Sequence, residues 1–188
     1  LRQAMENPVR DTSRIVLPPA SYLHEKEKIE SRWPAAVKFI QERKLNEFFG
    51  EGTADIGIIL QGGLFNNVNR ALELLGLSNA FGDVQLPTYV MNVTYPVIDE
   101  EVVHFCEGKR AVMVVEEGQP EYIEQDIATM LRRRDIPTKL HGKDWLPMGG
   151  EYTVEVIAGG LTRFAGQYLP SAAVEAAGQW LQGNRDRR

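Results

Sequence analysis

"IGIILQGGLFNNVNRALELLG", residues 56–76, decides the fold. An apolar run, Ile56–Leu60, ends in Gln61 and two glycines, and an amphipathic helix pattern follows. The short run reads as a buried strand. The spacing of Val68, Ala71, Leu72 and Leu75 places them on one helix face. Asn66 or Asn67 is expected to cap that helix, and Gly76 to end it at C′. Cofactor-binding folds hold a phosphate with this layout. The glycine spacing here differs from theirs. A dinucleotide fingerprint wants G-x-G-x-x-G, whereas Gly62-Gly63 runs into the bulky pair Leu64-Phe65 and lacks a third glycine. No P-loop lysine or hydroxyl follows. Two readings remain. The stretch is a strand–turn–helix joint with an asparagine cap, or Gln61, Gly62, Gly63, Asn66 and Asn67 edge a small polar pocket.

Outward from this unit the pattern repeats its alternation. "DVQLPTYVMNV" (83–93) reads as extended, with Pro87 marking an edge, a bend or a loop before the strand itself. Asp99 is a good cap for a helix with Val102, Val103 and Cys106 inward and Gly108 as its stop. "AVMVVEE" (111–117) is the clearest buried strand. Pro120 is expected to open a third helix, with Ile123, Ile127, Met130 and Leu131 facing in. "PTKLHG" (137–142) is a short fourth strand. Strands alternating with helices imply α/β layers and right-handed crossovers. The rest is plainer. Residues 1–53 read as an arm or linker with a helix opened by Pro34 and running to about Phe49. Residues 54–170 read as the α/β domain, its end holding a loop ("KDWLPMGGEYT") and one more short element ("TVEVIAGGLTRFA"). Residues 171–188 read as a terminal helix with Ser171 near its cap, then the solvated tail "NRDRR".

Composition narrows the function. The chain has 188 residues and a formal charge of −5, so nothing bulk-electrostatic favours nucleic acid. Arg132, Arg133 and Arg134 fall at a helix end, where cations complement the dipole; an anion or partner site is the other reading. One cysteine excludes an internal disulfide and any multi-cysteine cluster, which suits a reducing cytoplasm. No apolar stretch reaches the ~20 residues of a membrane span, and no signal peptide is visible. The chain begins at Leu1 rather than Met, which fits a processed chain or an excised piece.

Three strand-end side chains carry the remaining chemistry. Glu116 and Glu117 end a buried strand and point to opposite sides. Each is a general-base candidate or a plain exposed carboxylate, and one beside the next helix gains from its dipole. His141 ends the fourth strand. If strand ends gather at one edge, Gln61, Glu116 or Glu117, and His141 approach one another, as a proton-shuttling pair or a partner contact. No serine elbow, H-E-x-x-H or metal-ligand cluster is present.

The ordered series "GIILQGG…NRALELLGL", "MNVTYPVIDEEVVHFCEGKRAVMVVEEGQPEYIEQDI" and "KLHGKDWLPMGGEYT" resembles one segment of the 2-oxoacid:ferredoxin oxidoreductases. The nearest resemblance is to the indolepyruvate ferredoxin oxidoreductases, in the transketolase C-terminal-like domain of the thiamine-binding chain. It covers roughly residues 54–152, with a weaker echo in "LPPASYLHEKEKIESRWPAAVKFIQERKLN". The resemblance implies a three-layer α/β/α domain with a mixed, mostly parallel sheet. It implies a parent enzyme that oxidatively decarboxylates aryl 2-oxoacids to acyl-CoA. That enzyme uses thiamine diphosphate, Mg2+, iron–sulfur clusters, coenzyme A and ferredoxin. The family's G-D-G…N motif is not matched, since "GDV" at Gly82–Val84 follows "NN" at Asn66–Asn67 in the wrong order. No catalytic residue carries over, and no cofactor is expected on this chain itself.

The chain therefore reads as a cytoplasmic domain fragment, inactive alone. Its expected partners are other domains of the parent and further copies of itself, with neither nucleic acid nor membrane. Phe48–Phe49 and Trp145–Leu146 are expected to be surfaces that a partner covers. The alternative is a self-contained ligand-binding or regulatory module. Its pocket would lie among Gln61, Asn66, Glu116 and His141.

Overall fold

The computed structural model describes residues 2–8, 17–50, 54–79, 81 and 83–185. They divide into two compact units, 1–43 and 44–188.

In the first unit, α1 (Arg2–Glu6) precedes one continuous helical run. That run is α2 (Ala20–Glu27), a single π-turn (Lys28–Arg32) and α3 (Trp33–Glu42). The helix therefore does not begin at Pro34. Pro34 has no N–H, and its ring crowds the carbonyl four residues back. The wider π-turn lies just where that carbonyl must give way.

The second unit is built on one five-stranded sheet of order β1-β3-β2-β4-β5. Its strands are β1 (Glu47–Phe49), β2 (Ile56–Gln61), β3 (Thr88–Met91), β4 (Ala111–Val115) and β5 (Lys139–His141). β1 is antiparallel to β3 and all other pairings are parallel. The sequence pattern predicts that the preceding helix runs on to about Phe49. Lys44, at φ 49°, instead turns the chain out of helix. Asn46 then locks it down, donating to the Tyr89 hydroxyl (3.0 Å) and to Glu101 (2.8 Å).

Helices cover both faces, as parallel sheets require. On one face lie α4 (Phe65–Leu74), α7 (Val154–Tyr168) and α8 (Ala172–Arg185), packed on Ile56, Ile58, Leu60, Met113 and Val115. On the other lie α5 (Asp99–Cys106) and α6 (Tyr122–Arg133), packed on Ile59, Tyr89, Met91, Val112 and Val114. The three layers are those the resemblance implied. Two cores on opposite faces follow from the period-2 alternation of β2 and β4.

Four local expectations change. α4 begins at Phe65 after a 3-10 turn, Gly62–Leu64, so Asn66 and Asn67 lie inside the helix and do not cap it. Asp99 is the first residue of α5 and makes no side-chain cap. α6 opens at Tyr122, two residues beyond Pro120. The short element near 153–165 is a fifteen-residue helix, its start capped by Thr153. Its Gly160 lets the backbone pass close to Leu146 and Met113. Other helix ends agree with the sequence. Gly76 (φ 71°) ends α4, its N–H bonding Glu73 O while Leu77 N bonds Leu72 O. Ser171 Oγ accepts from Val174 N at the start of α8. Of the expected tail "NRDRR", Asn184 and Arg185 belong to α8 instead, and residues 186–188 lie outside the described residues.

Candidate functional site

After β2 the chain crosses to β3 on one side. After β3 it returns past β2 to β4. The carboxyl ends of β2 and β4 therefore flank the topological switch point, where open α/β sheets bind ligands. A cleft of about 510 Å³ opens there, between the ends of those strands, the 94–97 segment and the start of α6. Gln61, Glu116, Glu117, Tyr95, Tyr122 and Asp126 line it.

The glycine turn serves packing. A side chain at Gly62 would run into the Asn92 amide and its backbone at the end of β3, whereas Gly63 faces open space. Asn92 in turn donates to Leu45 O and to Glu47 Oε2, both at 2.9 Å. Gly62 is thus the point where β2 and β3 close on one another. Asn66 is exposed, and Asn67 reaches out of α4 to donate to Tyr152 O at 3.1 Å.

The two glutamates part as the pleat requires. Glu116 turns toward α6 and is only 5% exposed. Its carboxylate accepts from Ile123 N and Glu124 N, each at 3.1 Å. An α-helix N-terminus is an anion seat, and at α6 the chain's own carboxylate fills it. Glu117 turns toward the α7 side. Its carboxylate accepts from Tyr152 N at 3.0 Å, and its own N–H donates to Gln61 Oε1 at 2.9 Å.

Two residues that periodicity does not single out hold this edge together. Lys143 Nζ donates to Glu116 O (2.6 Å), to the Tyr152 hydroxyl (2.7 Å) and to Pro147 O (3.5 Å). Its backbone N–H donates to Glu124 Oε2 at 2.9 Å. Burial holds the Lys143 ammonium below its ordinary pKa and pushes the Glu124 carboxyl above its own. Burial, reinforced by Glu116, Glu117 and Glu124, pushes the Tyr152 phenol up to about 12. With three acceptors on its three protons, Lys143 is a tie rather than a nucleophile. Its sequence signal was only its place in "HGKDWLP".

His141 joins none of this. β5 ends level with Met113, two residues short of the end of β4, and in that register His141 faces α7. It is 2% exposed. Nδ1 lies 2.6 Å from Asp144 Oδ2, Nε2 lies 2.9 Å from the Tyr168 hydroxyl, and the ring stacks on Trp145 at 3.7 Å. The structure thus gathers Gln61, Glu116 and Glu117 at the cleft and leaves Asn66 and His141 elsewhere. Nor are Trp145 and Leu146 a bare surface. Leu146 is buried, and the Trp145 ring lies against His141 and Phe164.

The family model described as the indolepyruvate oxidoreductase domain matches residues 46–149. The chain is 29% identical over 160 residues to indolepyruvate oxidoreductase subunit IorA of Methanothermobacter thermautotrophicus, covering 84% of this chain and 25% of that one. It is 30% identical over 136 residues to the same subunit of Methanothermobacter marburgensis, covering 71% of this chain and 20% of that one. Among solved structures it is similar to the 2-oxoglutarate:ferredoxin oxidoreductase of Magnetococcus marinus, determined with 2-oxoglutarate, coenzyme A and succinyl-CoA bound. That likeness has a TM-score of 0.50 at 21% identity, over 77% of this chain and 23% of the other, and it is a likeness of fold. The chain spans a quarter or less of the length of the curated relatives it matches. The motif order along the sequence and the match over the sheet that carries it lead to one statement: the chain belongs to the indolepyruvate oxidoreductase domain family.

Proposed function

We propose that the chain is one domain of an indolepyruvate:ferredoxin-type oxidoreductase. Such an enzyme oxidatively decarboxylates aryl 2-oxoacids to acyl-CoA and passes the electrons to ferredoxin. The chain's own work is architectural, to hold the thiamine-binding domains in place, and it is inactive alone. The observation that carries this reading is the family match over 46–149 in a chain spanning a quarter or less of its relatives.

The groups such an enzyme uses do not fit these residues. A four-iron cluster takes four thiolates. This chain has one, Cys106, buried, with its thiol pushed up to about 12 by burial. A magnesium diphosphate needs oxygen ligands gathered round the metal. The G-D-G…N pattern that supplies them in such enzymes is not matched, since "GDV" at 82–84 follows "NN" at 66–67. Asp83 of "GDV" is held by the Asn79 amide at 2.8 Å, and Gly82 lies outside the described residues. Among the described residues, no lysine or arginine lines the cleft to meet the phosphates of coenzyme A. No catalytic step is assigned to this chain.

The test is calorimetric. Thiamine diphosphate with Mg2+ titrated into the 188-residue protein is expected to give no saturable heat. A one-to-one micromolar complex, worth about −8 kcal/mol, would refute the architectural reading. The protein alone is also expected to reduce no ferredoxin with indolepyruvate as donor.

A further inference from the structure

We infer that the helical run of the first unit is a self-association element, through which two copies of this chain pair antiparallel. This goes beyond the proposed reaction and does not depend on it.

The run comprises α2, the π-turn and α3, and its 23 residues, 20–42, make about 35 Å of helix. Only Ile40 among them is buried. Tyr22 and Ile29 lie two turns apart and Trp33 one turn further on, so the three share a face. They stand 68%, 63% and 37% exposed. In a folded protein a helix carries such an apolar row against another surface. The wider π-turn also leaves a hollow in the row, about 270 Å³, lined by Lys28, Ile29 and Trp33. The lysine contributes its aliphatic stem, so the walls are apolar. Such a hollow takes a side chain from a facing helix, as a knob enters a hole in a coiled coil.

Charge selects the occupant and its direction. Residues 20–31 hold Glu25, Glu27 and Glu30 against Lys26 and Lys28, a net charge of −1. Residues 32–43 hold Arg32, Lys38 and Arg43 against Glu42, a net charge of +2. One half of the run is therefore acidic and the other basic. A second copy laid antiparallel sets each acidic half on a basic half, twice over by symmetry. A parallel copy would set +2 on +2. With the twofold axis near residue 31, Ile29 of each copy faces the partner's Trp33 at the hollow. Tyr22 then meets the partner's residues near Ile40, and Glu30 comes beside the partner's Arg32. The exposed pairs Lys26–Glu30 (3.7 Å) and Lys38–Glu42 (3.6 Å) are loose, so their charges remain available across the interface.

Sedimentation equilibrium of the 188-residue protein tests this, with far-UV circular dichroism to confirm that each variant folds. The mass should rise with concentration from 21.2 kDa toward twice that. A Kd on the order of 10 µM suits so narrow an interface. Ile29→Glu, at an exposed position, should weaken the dimer about tenfold or more. Two charge variants test the direction. Arg32→Glu with Lys38→Glu makes the basic half acidic, and Glu25→Lys with Glu30→Lys makes the acidic half basic. Each alone should weaken pairing about tenfold, and an equimolar mixture of the two should restore it. A protein that remains at 21.2 kDa up to roughly 1 mM overturns the inference and leaves the face to another domain of the parent enzyme. A dimer indifferent to Ile29→Glu overturns it too, as do charge variants that each pair as tightly as the unaltered protein. The thiamine diphosphate titration reads the architectural role and is unaffected by any of these outcomes.

Discussion

Replacing Glu116 by alanine should destabilise the second unit by about 2 kcal/mol. The side chain is an internal cap, its two oxygens receiving the Ile123 and Glu124 N–H groups at 3.1 Å. Loss of a capping side chain costs about 1 kcal/mol. Loss of a partly buried charge at a helix N-terminus costs up to about 2 more. Relief of the penalty for burying a carboxylate offsets part of the sum. For a unit of this size that lowers Tm by roughly 4–8 °C. Urea unfolding followed by far-UV circular dichroism measures the change. Hydrogen exchange at Ile123 and Glu124 should quicken selectively, because those two donors lose their acceptor. Glu116→Gln keeps the shape and one acceptor oxygen and should lose about half as much. If Glu116→Ala stays within about 0.5 kcal/mol of the parent, with the exchange of those two amides unchanged, the carboxylate is not the cap. The filled anion seat would then be a misreading.

Three further outcomes are expected. Gly62→Ala should cost roughly 1–3 kcal/mol through collision with Asn92, while Gly63→Ala, which meets nothing, should change stability by less than about 0.5 kcal/mol; equal effects in urea titrations would refute the packing account of the turn. The Tyr152 phenol keeps its proton to about 12 in the folded protein and to about 10 once unfolded. The folded state therefore binds the extra proton between those values, and this contribution to stability is complete below pH 10 and lost as pH rises toward 12. Tyr152→Phe should flatten that part of the profile in unfolding curves. The Cys106 thiol, buried in the α5–α6 core, should resist an aromatic disulfide reagent in the native protein and react at once in denaturant.

The strands and helices of 56–141 were legible because apolar runs and helical faces are separated cleanly by Gly76, Gly108 and the loop at 118–120. Helix starts were not, because an asparagine or aspartate near an apolar stripe looks like a cap whether or not its oxygen turns back. Asn67 goes instead to Tyr152, and the cap of α6 comes from Glu116, a residue of the strand end. β1 was invisible because three residues carry too little pattern. What fixes them is Asn46 and the stacking of Phe48 on Tyr89 at 4.7 Å, contacts distant in sequence. At the site, the opposite facing of Glu116 and Glu117 follows from the pleat and was readable. The separation of His141 was not, since it depends on β5 ending two residues before β4. The Lys143 tie links three segments and leaves no periodic trace.

The short outer strands have a consequence for assembly. β1 and β5 contribute three residues each, against six in β2 and five in β4. An outer strand of that length offers a passing chain too few free backbone groups to template an added strand, and natural sheets use such brevity to suppress edge-to-edge growth. A domain built to sit among others must then be gripped by side chains. Recognition passes to helix faces and strand-end clefts, where a wrong neighbour is rejected by charge and shape, while the hydrogen-bonding rim of the sheet, which would accept almost any extended segment, stays too short to compete.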